Sequence, residues 1–186
     1  MTASAVAIGI VAGLIGGCGA DDQTPPAGNG AESREYFERA LAISQDINSR
    51  ISALKTTYPD NYFDVADKAS FDLQQTRDSY QGYVQLYREY LDRNEALDPP
   101  EPLKEIHDEN LSVNRDVNAI NEARLEQLLD ANSLADVEAV FEGDDAFDEA
   151  LQAADKVCND FRDLALVSGV DWDQPCQLDG GAPASS

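Results

Sequence analysis

A helical repeat of apolar residues runs through most of this 186-residue chain and constrains its fold more than any other feature. From Phe37 to Ala165 the apolar side chains recur at steps of three and four residues, with almost no alternating strand pattern. That spacing places them along one face of a helix, where they can pack against neighbouring helices. The repeat falls into four segments, so we expect four amphipathic helices.

A proline turn separates the first two predicted helices. Ser33 is placed to cap the first helix, since its hydroxyl can accept a hydrogen bond from the free backbone N–H of Tyr36. Pro59 disfavours the helical conformation of Tyr58, so the first helix should end there. A second helical segment then extends to about Leu97.

The third and fourth helices are marked by prolines and by a capping pattern. Three prolines at 99, 100 and 102 stop the second helix, because proline cannot donate the helical hydrogen bond. The third helix begins near Glu101 or Leu103 and ends near Asn132. Ser133 with Asp136 resembles a capping arrangement for the fourth helix.

The fourth helix carries an interruption signal and a stop signal. Gly143-Asp144-Asp145 can interrupt it, and Gly169 is placed to take the left-handed conformation that ends a helix. Four amphipathic segments with short connections favour an all-α fold, an antiparallel four-helix bundle with a left-handed supercoil.

Two cysteines, Cys158 and Cys176, lie in the last helix and in the segment that follows it. A disulfide is the simplest use of this pair, while metal binding and two free buried thiols are the alternatives. The bond would clip the tail to the bundle and stabilise the fold by about 3 kcal/mol in the chain-entropy model. Such bonds persist in oxidising compartments.

The N-terminal residues have the pattern of an export signal. An uncharged apolar run from Ala5 to Gly17 is too short to span a bilayer but has the length of a signal-peptide core. It ends in Ile15-Gly16-Gly17-Cys18, which resembles the lipobox of prokaryotic lipoproteins. This resemblance implies lipidation of Cys18, which becomes the mature N-terminus. A plain secretory leader and a buried apolar N-terminal segment are the alternatives.

These features divide the chain into four parts. We expect a lipoprotein signal peptide over 1–17, a flexible tether over 18–32, a helical bundle domain over 33–176 and a disordered tail over 177–186. The tether contains paired prolines and several glycines and no large apolar residue, a composition typical of an extended linker. About 150 residues remain for one domain of ordinary size.

The charge balance restricts the classes of molecule that the protein can bind. With 36 acidic and 13 basic residues, the chain has a formal net charge of −23. Such self-repulsion keeps a protein soluble and argues against nucleic acid and anionic membrane surfaces as direct partners. We therefore expect no nucleic acid partner, and contact with a membrane only through the lipid on Cys18.

A tyrosine stripe lies at helical spacing on the second helix. One interpretation is that the rings fill the seam of the bundle while their hydroxyls reach its rim. The other is a ligand face in a cleft between helices, where the hydroxyls would bind a polar or aromatic small molecule. The stripe consists of Tyr80, Tyr83, Tyr87 and Tyr90.

An asparagine stripe also lies at helical spacing, on the third helix. Asparagine is an indifferent helix former, so the stripe costs helix stability. We predict a solvated face; the alternatives are a partner surface, or polar residues that fix helix register as buried asparagine does in coiled coils. The stripe consists of Asn110, Asn114, Asn118 and Asn121.

Catalytic and metal-binding motifs are not recognisable. His107 is expected at the surface, and no nucleophile lies at a recognisable spacing from it, so we expect neither an enzyme nor a cofactor. The acidic clusters over 142–149 and at Asp171 and Asp173 invite a calcium interpretation. They lack the spacing of an EF-hand, so we predict diffuse divalent binding and no specific metal site.

The C-terminal unit carries a second resemblance. Cys158-Asn159-Asp160-Phe161 followed by 170–176 looks like the tail of uncharacterised exported lipoproteins of bacteria, which implies a shared architecture and no particular activity. Trp172 is expected to cover the end of the bundle near Phe161 and Leu164. An exposed Trp172 that anchors a partner is the alternative.

These expectations combine into one hypothesis of function. We expect an exported protein, lipid-anchored to the cell membrane on its periplasmic or extracellular face, that acts as a binding or scaffolding module for an envelope protein. The alternative is a receptor for a small molecule or a divalent cation with a pocket between helices.

Overall fold

The computed structural model describes residues 30–58, 71–142 and 145–176. The regular structure of these ranges is helical, as predicted, and the described residues contain no β-strand. The helices are α1 (Gly30–Thr57), α2 (Leu73–Glu95), α3 (Lys104–Asp130), α4 (Leu134–Phe141) and α5 (Asp145–Val167). The predicted leader with Cys18, the turn after Tyr58 and the predicted tail over 177–186 lie outside the described residues.

Helix α1 begins earlier than the capping pattern indicated. It starts at Gly30, so Ser33 lies inside the helix, where its side chain is buried. The prediction that Ser33 caps the helix is therefore wrong, and residues 30–32, assigned to the tether from the sequence, are helical. The apolar face that was predicted buries Phe37, Ile47 and Ile51.

The boundaries of α2 and α3 follow the local signals. Asp72 caps α2 by accepting a hydrogen bond from the Gln75 N–H at 3.0 Å. The helix ends at Glu95, before the run of prolines, as predicted. A 3₁₀ turn over Glu101–Leu103 leads into α3, which ends at Asp130.

The fourth predicted helix is divided into α4 and α5, and the break falls between Phe141 and Asp145, where the glycine-aspartate signal was found. The Ser133 hydroxyl accepts from the Asp136 N–H at 3.2 Å, which confirms the predicted cap. Gly169 has φ 81° beyond the end of α5, as its sequence position indicated.

Four long helices surround one core. Helix α2 packs on α1 and α3, α3 packs on α5, and α1 touches α5 through a smaller interface. The short α4 packs on α3. The antiparallel sense of the bundle stays a prediction from the short connections. Each large side chain buried in this core contributes about 1.5–3 kcal/mol of transfer free energy.

The segment after α5 folds back onto the bundle. The disulfide Cys158–Cys176 is present, with 5.5 Å between the two Cα atoms, which confirms the predicted pairing. Trp172 is buried, and its ring lies 5.3 Å from the ring of Phe161. Its predicted packing over Phe161 is thus confirmed, whereas Leu164, the other residue that it was expected to cover, is exposed.

Within the described ranges, no helix combines the length and the apolar character needed to cross a bilayer.

Candidate functional site

The tyrosine stripe of α2 faces α3 and is buried along its whole length. The hydroxyl of Tyr80 donates to Asn121 Oδ1 at 3.0 Å, and that of Tyr87 donates to Asn114 Oδ1 at 2.7 Å. Tyr90 is bonded to Asn110 and to Ser44 of α1. The prediction that these hydroxyls reach the rim is therefore wrong, because α3 supplies polar partners inside the core.

The asparagine stripe of α3 is the other half of this network. All four side chains are at most 8 % exposed, so the predicted solvated face is wrong. Asn114 Nδ2 donates to the backbone oxygen of Asn110 at 2.8 Å. Asn118 Nδ2 donates at 2.6 Å to the carboxylate of Glu122, which also accepts from Arg88. The placement matches the alternative, in which buried asparagines fix the register of two helices.

The network contains buried polar atoms without a hydrogen-bond partner among the described residues. These are Asn118 Oδ1, Asn121 Nδ2 and the indole Nε1 of Trp172. A buried polar group without a partner costs about 1–3 kcal/mol. These unpaired atoms therefore lower the stability of the folded state.

His107 belongs to the core and not to the surface. Its side chain is buried, and Nδ1 lies 2.8 Å from the hydroxyl oxygen of Tyr36. The expectation of a surface histidine is wrong because Tyr36 of α1 packs against its ring, with 5.8 Å between the ring centroids. Burial lowers the pKa of His107, and burial raises the pKa of Tyr36, so both groups are held neutral.

A small polar cavity lies under the C-terminal segment. It has a volume of about 20 Å³ and is lined by side chains of α1, α2, α3 and α5, and by Trp172 and the disulfide. Its polar lining consists of Ser44, Tyr90, Asn94, Asn110 and Asn114. A volume of this size suits about one water molecule and no larger ligand. The tyrosine stripe thus ends at a small cavity of polar lining.

Arg124 joins α3 to the two helices that follow it. Its guanidinium carbon lies 3.7 Å from the centroid of the Phe147 ring and 5.5 Å from that of Phe141. The side chain is only 7 % exposed. Cation–π contact with two rings therefore ties α3 to α4 and α5.

The acidic clusters do not gather into a metal centre in the part of the chain that the structure describes. No group of three or more His, Cys, Asp or Glu side chains there is arranged to hold a metal ion. Glu142, Asp145, Asp148 and Glu149 are exposed to solvent. Asp144 lies outside the described residues.

One surface feature was missed by the sequence reasoning. Leu164, Leu166 and Val167, in the last turn of α5, are exposed, and Val167 is 72 % accessible. We call these three residues the apolar end. The apolar run Leu164-Ala165-Leu166-Val167 was available as a signal, since more than one face of a helix is apolar there.

Comparison with protein-family models, curated proteins and solved structures gives no significant match.

Proposed function

We propose that the protein is exported, is anchored to a membrane by a lipid on Cys18, and binds or scaffolds a protein of the cell envelope. The disulfide Cys158–Cys176 is the observation that supports export, because such bonds persist only in oxidising compartments. The lipobox-like residues 15–18 supply the anchor. With both other cysteines paired, Cys18 is the one thiol left for acylation.

The apolar end supports the binding role. Leu164 and Val167 are three residues apart and so lie side by side on the helix surface. Adjacent exposed apolar side chains of this kind mark interaction sites in soluble proteins. Asp160 and Asp163 are exposed on the preceding turn of α5. A partner with an apolar pocket and a basic rim would complement this surface, and its charges would also accelerate encounter.

The apolar end lies close to the point where the tether joins the domain. Tyr36, in the second turn of α1, has its ring centroid 5.9 Å from that of Phe161 in α5. The start of α1 and the end of α5 are therefore neighbours. Gly30 follows Cys18 by twelve residues, which reach at most about 40 Å when extended. The proposed binding surface is thus held near the membrane and the proteins in it.

We propose binding in preference to catalysis. The single histidine of the chain is buried and bonded to Tyr36, so it is occupied in the core. The tyrosine hydroxyls that would have formed a ligand face are bonded to asparagines. The apolar end, in contrast, is accessible at the end of α5.

Site-specific photo-crosslinking in the native membrane tests the proposal. A photoreactive phenylalanine analogue is placed at Val167, and in a separate variant at Leu129, which is 52 % exposed near the end of α3. We expect one discrete crosslinked product from position 167 and none from position 129. The product should disappear when Leu164 and Leu166 are both changed to Ser, with no loss of thermal stability.

Equal crosslinking from both positions would show non-specific contact and contradict the proposed surface. Absence of any product from position 167 in membranes that contain the protein would also contradict it.

A further inference from the structure

An open groove lies between α1 and the C-terminal segment, away from the apolar end. It has a volume of about 420 Å³, within the usual range of ligand sites. One wall is the face of α1 that contains Gln45, Asn48, Ser49 and Ser52, which follow the three- and four-residue spacing of a helix face. The other wall is Gln174 and Pro175.

The groove lining differs in charge from the rest of the chain. Acidic residues outnumber basic residues by 36 to 13 in the sequence, yet the eight lining residues that the structure describes include no carboxylate. Lys55 is the one charged residue among them. The other polar groups are amides and hydroxyls, which offer both donors and acceptors without a net charge.

Hydrogen bonds between the walls fix the amides. Asn48 Nδ2 donates to Gln174 Oε1 at 3.1 Å, and Gln174 Nε2 donates to Asp173 Oδ1 at 2.9 Å. Gln45 also bonds to Asp173, and the two amides lower the pKa of that carboxyl, with Gln174 the larger cause. An ionised Asp173 is an acceptor only, so it orients both amide groups toward it.

The disulfide holds the second wall in place. Cys176 lies two residues after Gln174, and Trp172, buried against Phe161, lies two residues before it. The wall is therefore attached to α5 at one end and packed into the core at the other. A wall fixed before the ligand arrives loses little entropy on binding.

Two apolar residues, one beneath the groove and one at its edge, can also contact a ligand. Ile51 is buried beneath the groove, and Pro175 presents its ring at the edge. A ligand that matches this surface carries several hydroxyl or amide groups without charge, and C–H groups between them. Neutral carbohydrate has this chemistry.

We propose that the groove between α1 and residues 174–175 binds a neutral oligosaccharide. The inference adds a second site to the proposed function, since none of the groove residues belongs to the apolar end. Gln174 and Asn48 supply the oriented amides, because each keeps a second N–H and a carbonyl lone pair beyond the hydrogen bonds that hold it in place. The Cys158–Cys176 bond positions the wall that carries Gln174.

Isothermal titration of the oxidised full chain with maltotriose and with tri-N-acetylchitotriose, two uncharged trisaccharides, at millimolar concentrations, tests the proposal. We expect saturable binding to at least one of them. The double variant Asn48→Ala/Gln174→Ala should bind about thirtyfold more weakly, since it loses two hydrogen bonds to neutral groups, each worth about 1 kcal/mol. The matched control Gln85→Ala changes an exposed glutamine of α2 and should leave the affinity unchanged.

Removal of the disulfide by mutation provides a second test of sugar binding. Cys158→Ser/Cys176→Ser, tested below its melting temperature, should keep its helical circular dichroism but bind the same sugar more weakly, because the wall is released. The proposal is overturned if the oxidised chain binds neither sugar, or if the Asn48/Gln174 variant binds as tightly as the native chain. Crosslinking from the apolar end is independent of these titrations, so each proposal can fail alone.

Discussion

The hydroxyl of Tyr87 donates to Asn114 Oδ1 at 2.7 Å across the interface between α2 and α3, and both side chains are buried. Asn114 in turn donates to the backbone of Asn110 one turn earlier. A displacement of either helix by one turn would separate these partners and leave polar groups unpaired in the core. The pair therefore specifies how α2 and α3 align.

Removal of the Tyr87 hydroxyl should destabilise the fold more than its size indicates. Tyr87→Phe leaves Asn114 Oδ1 without its donor in a buried site, and we expect a loss of about 1–3 kcal/mol in the free energy of unfolding. Urea denaturation, monitored by circular dichroism, measures this loss in the free energy of unfolding. Tyr58→Phe, at a half-buried position beyond α1, is the matched control and should change the free energy by less than about 0.5 kcal/mol.

The buried His107 should make stability depend on pH in a defined direction. Its pKa is lowered in the folded state, so the unfolded chain binds a proton more readily as the pH falls through about 6.5. Stability is fully present above that pH and is lost as the pH falls, until the folded state is protonated as well. Urea midpoints of the native chain should fall between about pH 7 and pH 5.5.

His107→Gln provides the control for this pH dependence. Glutamine does not titrate, so the variant should show a flatter profile over the same pH interval, although it is less stable throughout. Carboxylates titrate mainly below this interval. An unchanged slope in the variant would show that His107 is not responsible.

Loss of the disulfide should lower stability and expose Trp172. The bond closes a loop with a sequence separation of 18, for which the chain-entropy model gives about 3 kcal/mol. Cys158→Ser/Cys176→Ser should show this loss and a red shift of tryptophan fluorescence. Dithiothreitol should bring the native chain to the same values and leave the variant unaffected; a response of the variant would implicate another effect of the reductant.

A lysine at position 124 should not reproduce the contact that the Arg124 guanidinium makes with the aromatic rings. Arg124→Lys keeps the charge but loses the planar group that lies on Phe147, so we expect a loss of about 1–2 kcal/mol. Arg115→Lys alters an exposed arginine paired with Glu95 and should cost less than about 0.5 kcal/mol. Thermal melts of the two variants side by side make the comparison, and equal losses would contradict a special role of the aromatic contact.

The local signals of the sequence were sufficient for most helix boundaries. The Ser133 cap, the proline stop after α2 and the left-handed Gly169 depend on interactions within a few residues, so a sequence reveals them. Ser33 failed as a cap because residues 30–32 continue the helix upstream, where nothing in the local pattern distinguishes linker from first turn. The cysteine pair was predictable because few pairings were available.

The buried polar network was not predictable in the same way. Asparagine at helical spacing normally indicates a solvated face, and only the opposite tyrosines of α2 make its burial favourable. The partners are separated by 41 residues for Tyr80 and Asn121 and by 27 for Tyr87 and Asn114. His107 was misplaced for the same reason, since its partner Tyr36 lies 71 residues away. Two polar-tipped stripes, each at helical spacing and on successive helices, are the signal that would have found the network.

Intact mass spectrometry of the protein purified from membranes, combined with peptide mapping under non-reducing conditions, tests the central proposal most directly. We predict a mature chain that begins at an acylated Cys18, together with a linked peptide pair containing Cys158 and Cys176. A chain that retains residues 1–17, carries an unmodified Cys18 and shows free thiols at 158 and 176 would contradict the account.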